Sequence, residues 1–484
     1  MSETRIRFFR SQRKFRSGWV LIAASAMVAA VAAASLPNMF PFKDPSGVLQ
    51  TYSLKGPLSE NGPFFQSLGT NGRSCATCHV AASGFGLSAD QADQIYRRTH
   101  GRDPLFAPID GAACPTAAPD HPLNFDLLRR YGLIRVELQL PSNPQFTISV
   151  VHDPYGCALL ADPAGGVTNI SVYRRPLPAT NLAFLTAVQF DGRETVAPLN
   201  NPQTFVANLV TDLKHQALDA TLGHAQASVA PTDAQLTQIV EFEASLNTSQ
   251  AVDNHAGWLN SEGAQGGPKM LSKTGFYPGI NDSLGGNPTG ASFNPNVFTL
   301  FSKWANSRDP HRRSVARGED IFNTHPLFIT DVRGLNDALN QPVINGTCTT
   351  CHDAPNVGDH SLPVPLEIGT SRSAGFETNP EIQAALSQLS MPDLPVFEIV
   401  CNQGPDVGET TYTSDPGKAT LSGLCTDVGR GKGPILRGLA ARAPYFHNGA
   451  AATLNQLVEF YNDRFQMSLT EDEKQDLVNF LKTL

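Results

Sequence analysis

The stretch Gly346–His352 reads GTCTTCH and contains Cys348-x-x-Cys351-His352. Two thiols three positions apart can form thioethers to the two vinyl groups of one porphyrin, and the histidine that follows falls under the iron as proximal ligand. A second copy, Cys75-x-x-Cys78-His79, lies far upstream. The alternative of a zinc ribbon built from two CxxC knuckles expects the knuckles roughly 15–20 residues apart, and here a whole domain's length separates them. The residues point to two covalently bound haem c groups, held by Cys75, Cys78, Cys348 and Cys351, with His79 and His352 as iron ligands.

Working outward, the surroundings of the motif repeat. The last fifteen residues, TEDEKQDLVNFLKTL (Thr470–Leu484), lie without gaps on TDAQLTQIVEFEASL (Thr232–Leu246). In the upstream copy Thr232 and Gln235 make a capping box, and Leu236, Ile239, Val240 and Leu246 make one apolar face, so an amphipathic helix is expected. Pro178-x11-Phe190-Asp191-Gly192 likewise corresponds to Pro434-x11-Phe446-His447-Asn448-Gly449. Both halves run haem motif, Pro…Phe-x-Gly loop, terminal helix, which is the signature of a duplication. The expected fold is mainly α: two tandem cytochrome c-type haem domains with long loops, preceded by a signal peptide or membrane anchor. The expected limits are 1–36 for the leader, 37–254 for the N-terminal haem domain, 255–304 for a linker rich in Gly, Asn, Ser and Pro, and 305–484 for the C-terminal haem domain. The last is expected to open with a short helix over Ser314–Phe322.

The leader carries six basic side chains within residues 1–17, then 26 uncharged positions, Ser17–Phe42, with an Ala/Val-rich heart and small residues around Ala32–Ser35. This reads as a secretory signal, while the apolar run is nearly long enough to stay as a bilayer anchor. Covalent haem c behind such a leader implies the bacterial periplasm, with membrane contact only if the segment is uncleaved. Four further cysteines suit an oxidising compartment. Sequential pairing, Cys114–Cys157 and Cys401–Cys425, is the expected one of three connectivities, each bridge worth roughly 3–4 kcal/mol in the chain-entropy picture. Without residues 1–17 the chain holds 30 basic against 43 acidic groups. An acidic surface suits solubility and a basic redox partner, and no basic–aromatic interleaving points to nucleic acid.

At Lys432–Tyr461 (KGPILRGLAARAPYFHNGAAATLNQLVEFY) the chain resembles the bacterial di-haem cytochrome c peroxidase superfamily, which includes the MauG-type enzymes. PYFHNG and the earlier FDGR are similar to that family's two loop signatures. The resemblance implies two facing α-helical domains, an N-terminal haem that reacts with peroxide and a C-terminal haem that passes electrons. In the peroxidases a methionine after the PYFH turn is the second ligand of the C-terminal haem; the equivalent here is Tyr461, as in MauG-type proteins. A phenolic oxygen favours ferric and higher states where a thioether favours ferrous iron. Met467 and Met391 are the rival ligands. The family's glutamate base lies in an E-Q-A run, for which the nearest match is His215-Gln216-Ala217. His215 then has three readings: a base with a suitable pKa, an iron ligand, or a helix-capping residue. Glu194, His224 and Gln189 are further candidates for the same pocket, and His100 for a closing ligand. The MauG-type relay tryptophan has no counterpart, since no Trp occurs from Asp44 through Gly257, and Trp258 and Trp304 are not given that role. Family analogy also raises calcium between the domains, although no loop matches a calcium motif.

Two functions compete, beside a third, a haem dioxygenase related to the same superfamily. One is a periplasmic di-haem oxidoreductase, reducing hydrogen peroxide or using it to oxidise a partner, with His215, Gln216 and Glu194 as the catalytic candidates. The other is a non-catalytic di-haem electron-transfer cytochrome c.

Overall fold

The computed structural model describes residues 35–114, 124–161 and 167–484. The leader read over 1–36 lies outside them, apart from its last two residues. No helix among the described residues is long and apolar enough to cross a membrane.

The two haem motifs sit in matching local frames. Cys75–Cys78 is one helical turn capped reciprocally by Ser74 and Thr77, and Cys348–Thr350 is a 3-10 turn capped the same way by Thr347 and Thr350. Such a box satisfies the free N–H groups at the start of the turn and fixes how the following histidine leaves it. The helices Asp233–Ala244 and Glu471–Lys482 match as well, each opened by a capping box, Thr232 with Gln235 and Thr470 with Glu473. Phe242 on the first lies 4.8 Å from Phe64, which lies 6.4 Å from His79, centroid to centroid. Phe480 on the second lies 5.7 Å from Phe322, which lies 5.9 Å from His352. Phe242 and Phe480 share one place in the gap-free alignment, so the duplication extends to the packing behind each histidine.

In the second half the helix Pro310–Thr324 crosses Glu471–Lys482 at Gly318. A Cβ there would lie 2.0 Å from the Asp476 carbonyl oxygen and 2.7 Å from Phe480 Cβ, so only glycine permits this approach. Around the crossing, Ser314 and Arg317 bond the Asp476 carboxylate at 2.6 and 2.5 Å.

The expectation of a mainly α chain needs correction: helices pack behind the CxxCH turns, but fourteen strands form five sheets among the described residues, one of them, Val343–Gly346, ending just before Cys348. Gly47–Ser53 pairs with Leu246–Asp253, so the helix Asp233–Ala244 leads straight into a strand. Ile134–Gln139 pairs with Val167–Arg174. Phe146–His152 pairs with Val396–Cys401 and thereby joins the two halves. One core holds Leu138, Phe146 and Ile170 together with Phe397, Ile399 and Cys425. These segments are strands because β-branched and aromatic residues in FTISVVH and VFEIVC suit a pleated, half-buried surface. The disulfides are Cys114–Cys157 and Cys401–Cys425, the sequential pairing expected.

Within 255–304 the chain folds back on the second half. Val297, Phe298, Phe301 and Trp304 are buried in one core with Phe322 and Phe480. Asn281 and Ser283 bond the backbone carbonyls of Asp353 and Thr350, beside the second haem motif.

Candidate functional site

Both CxxCH motifs open into one cavity of about 690 Å³, whose wall includes Cys75, Cys78, His79, Cys348, Cys351 and His352. These four cysteines are free thiols. His79 Nδ1 lies 3.1 Å from the Phe85 carbonyl oxygen, and His352 Nδ1 lies 2.6 Å from that of Gly358. A carbonyl only accepts, so Nδ1 carries the proton and donates, and Nε2 keeps its lone pair for a metal. Burial keeps both rings neutral: it pushes His79 down to about 4 and His352 below its usual range. Paired thiols with an oriented neutral imidazole fit haem c at each motif. The zinc alternative does not fit, because no cluster of metal-ligating groups among the described residues contains a cysteine.

The two Pro…Phe-x-Gly loops contribute to this wall and touch each other. Phe190 stacks on His447 with centroids 4.4 Å apart. Arg174 pairs with Asp191 in its own half and with Asp415 in the other, each at 2.6 Å. Against the effect of burial, the Arg174 guanidinium holds both carboxyls below their ordinary range, with Arg193 helping at Asp191. Arg175 donates to the carbonyls of Leu87, Arg442 and Pro444. Gly449 closes the PYFHNG turn at φ 68°, and a Cβ there would lie 2.6 Å from the Tyr131 carbonyl oxygen.

Glu194 and Gln216 line the cavity, whereas His215 does not. The His215 side chain is 44% exposed, and its Nδ1 lies 2.5 Å from Glu194 Oε2. Burial raises the pKa of Glu194, and the bond to Glu194 raises that of His215. Neighbouring Ala217 packs in the cluster that holds Cys75 and Ala76, which puts this group beside the first motif. Asp219, one helical turn beyond His215, joins the pair; its i+4 spacing was the unused signal. Gln189 and His224 also line the cavity. His224 Nδ1 bonds Asp110 at 2.9 Å, and Asp110 pairs with Arg73. His100 caps an exposed helix end, and neither it nor Trp258 nor Trp304 lines the cavity.

Tyr461 and Met467 both line the cavity, while Met391 does not. Burial, reinforced by Cys351 and Cys348, pushes the Tyr461 hydroxyl pKa upward. The Met467 carbonyl accepts a bond from His325 Nε2 at 2.8 Å. Glu243, also in the cavity wall, escaped the sequence reading as Asp219 did. Glu243 is 5% exposed, its Oε2 has no hydrogen-bond partner among the described residues, and burial pushes it up to about 8. The repeat places Leu481 opposite it, so a charge in an apolar slot was there to be seen.

No protein-family model matches the chain. Among curated proteins it is similar to the cytochrome-c peroxidase IdrP1 of Denitromonas iodatirespirans, 39% identical over 148 residues, 28% of this chain and 36% of that protein. It is similar to the cytochrome c551 peroxidase of Nitrosomonas europaea, 37% identical over 118 residues, 21% and 35% of the two. It is also similar to the IdrP1 peroxidase of a Pseudomonas strain, 28% identical over 217 residues, 39% and 52%. The matches thus span from about a third to about half of these relatives' length. A solved structure of a MauG-like protein associated with microbial copper homeostasis aligns over 68% of this chain and 79% of its own at 14% identity, with a TM-score of 0.28, too low to carry weight. The peroxidase matches agree with the paired CxxCH motifs and loop signatures, and over those parts the chain is similar to bacterial cytochrome c peroxidases.

Proposed function

We propose that this chain is an exported, periplasmic di-haem oxidoreductase of the peroxidase type. Residues 37–254 and 305–484 carry one haem c each, and 255–304 link them. In this reading hydrogen peroxide would be reduced on the side of the cavity where His79 holds a haem, and electrons would pass on the His352 side from a partner protein or be drawn from one. The reduction takes two electrons and two protons per peroxide and releases two waters. The haems, when bound, supply the iron that engages peroxide and the path for electrons.

The observation that carries this reading is Glu194, a carboxyl with a burial-raised pKa, in the wall of the cavity that both motifs share. In this role Glu194 takes a proton from one peroxide oxygen and returns it to the departing one. His215 stands behind it, bonded through Nδ1, and holds the carboxylate in place. Gln216 offers an amide to orient the peroxide. Tyr461 would be the second residue to hold the His352 haem, with Met467 the competing residue of the same wall. Calcium, an expectation from resemblance alone, receives no residues here.

Electron paramagnetic resonance of the ferric protein, repeated after one electron equivalent and then peroxide, tests the reading. A high-spin signal from one haem that disappears with peroxide is expected. Two low-spin signals indifferent to peroxide would leave an electron-transfer cytochrome. Tyr461→Phe changes the spectrum of the second haem, whereas Met467→Leu leaves it unchanged.

A further inference from the structure

We propose that Asp282, Asp353 and His360 bind one first-row divalent cation, at a site that adjoins the CxxCH cavity through His360 and is distinct from the haem irons. The three side chains are 1%, 0% and 3% exposed. Asp353 Oδ2 lies 3.3 Å from His360 Nδ1, and Asp282 Oδ1 lies 4.0 Å from it. All three atoms fall within 4.8 Å of one another. Ligands held at about 2.0–2.2 Å from a metal stand roughly 3–4 Å apart, so a cation fits between them with little movement.

Each carboxylate is anchored through one oxygen and presents the other. Asp282 Oδ2 accepts the backbone N–H groups of Leu284 and Gly286 at 3.1 and 2.6 Å. Its Oδ1 is buried and has no hydrogen-bond partner among the described residues. Asp353 Oδ1 accepts the Ser361 N–H at 2.6 Å, while Oδ2 receives a long 3.4 Å bond from the Ser283 N–H. A buried carboxylate oxygen without a partner is costly. One such oxygen, Asp282 Oδ1, converges here with the weakly bonded Asp353 Oδ2, and among the described residues neither carboxylate pairs with a lysine or arginine; their only ionic neighbour is His360. A divalent cation balances both charges. The imidazole nitrogen suits zinc and the two carboxylates also admit manganese, whereas calcium and magnesium take all-oxygen sets.

The site also gives the Gly/Asn-rich stretch NDSLGGNPTG a purpose. Asp282 comes from this stretch, and its neighbours Asn281 and Ser283 already bond the carbonyls of Asp353 and Thr350. Because Asp353 directly follows His352, the cation ties the loop to the turn that bears the second haem motif.

The test uses the full haem-loaded chain, stripped with a chelator, desalted and titrated with Zn2+ alone, and separately with Mn2+ and with Ca2+. Calorimetry and elemental analysis for metals other than iron give the stoichiometry. One Zn2+ or Mn2+ per chain is expected. Asp282→Asn and His360→Gln should each bind it more than about 100-fold more weakly, with haem content and visible spectrum unchanged. The spectrum separates loss of a ligand from misfolding. No binding by the haem-loaded wild type would overturn the proposal, as would equal binding by Asp282→Asn, or binding of Ca2+ alone.

Discussion

Glu243 occupies a slot that the second half fills with Leu481, and its effect on stability follows from where its proton resides. An unfolded glutamate releases its proton near pH 4.3, whereas native Glu243 holds it to about 8. Between those values the native chain binds more protons than the unfolded one, so this residue's contribution to stability falls as pH rises. Glu243→Leu is therefore expected to gain on the wild type by a few kcal/mol as pH goes from about 4 to 8, read by denaturant unfolding of the haem-loaded protein across that range. Glu194 offers a kinetic counterpart. Glu194→Gln should lower peroxide turnover by about 10²–10⁴-fold. His215→Ala should lose less and move the acid limb of the rate profile to higher pH, because the bond from His215 lowers the Glu194 pKa. The position of His215 outside the cavity has a helical cause. Consecutive residues of an α-helix point about 100° apart, so Gln216 facing the cavity turns His215 away. An alignment of HQA on E-Q-A cannot register that rotation, nor can it show Glu194 taking the inner place.

At the scale of elements, the helix crossing at Gly318 makes the firmest forecast. Gly318→Ala would drive a methyl into the Asp476 carbonyl and Phe480, and should cost about 1–3 kcal/mol or more, measured as a fall in thermal midpoint at unchanged haem content. The helix that carries Gly318 and both terminal helices were legible in the sequence, because capping boxes and 3.6-residue periodicity are local signals, whereas their crossing was not. The CxxCH turns were legible because their chemistry needs a fixed spacing. The sheets were not read. Phe146–His152 and Val396–Cys401 lie far apart in the chain and pair with each other, and each stands close to cysteines in segments rich in Pro and Gly. Turn-forming neighbours masked β-branched runs whose partner no local window contains. The Gly/Asn-rich stretch near Asp282 was misleading for a related reason: composition reports a lack of regular structure, not a lack of contacts.

At the scale of the whole molecule, the halves are bound by the sheet pairing of Phe146–His152 with Val396–Cys401 and by Arg174 between Asp191 and Asp415. Arg174→Met would leave buried Asp415 without its arginine and Asp191 with Arg193 alone, and should cost about 3–5 kcal/mol. With that link intact, the haem-loaded protein is expected to unfold in one calorimetric transition instead of two. The shared cavity carries the interdependence into biogenesis. If each porphyrin forms part of the wall around the other, a chain that has received only one keeps a water-filled flank beside it and resembles an unfinished intermediate more than a weaker product. Quality control would then act on completeness. When porphyrin is scarce, the cell would hold fewer chains, each fully charged, and half-charged ones would be cleared by proteases before they could run a single-centre reaction.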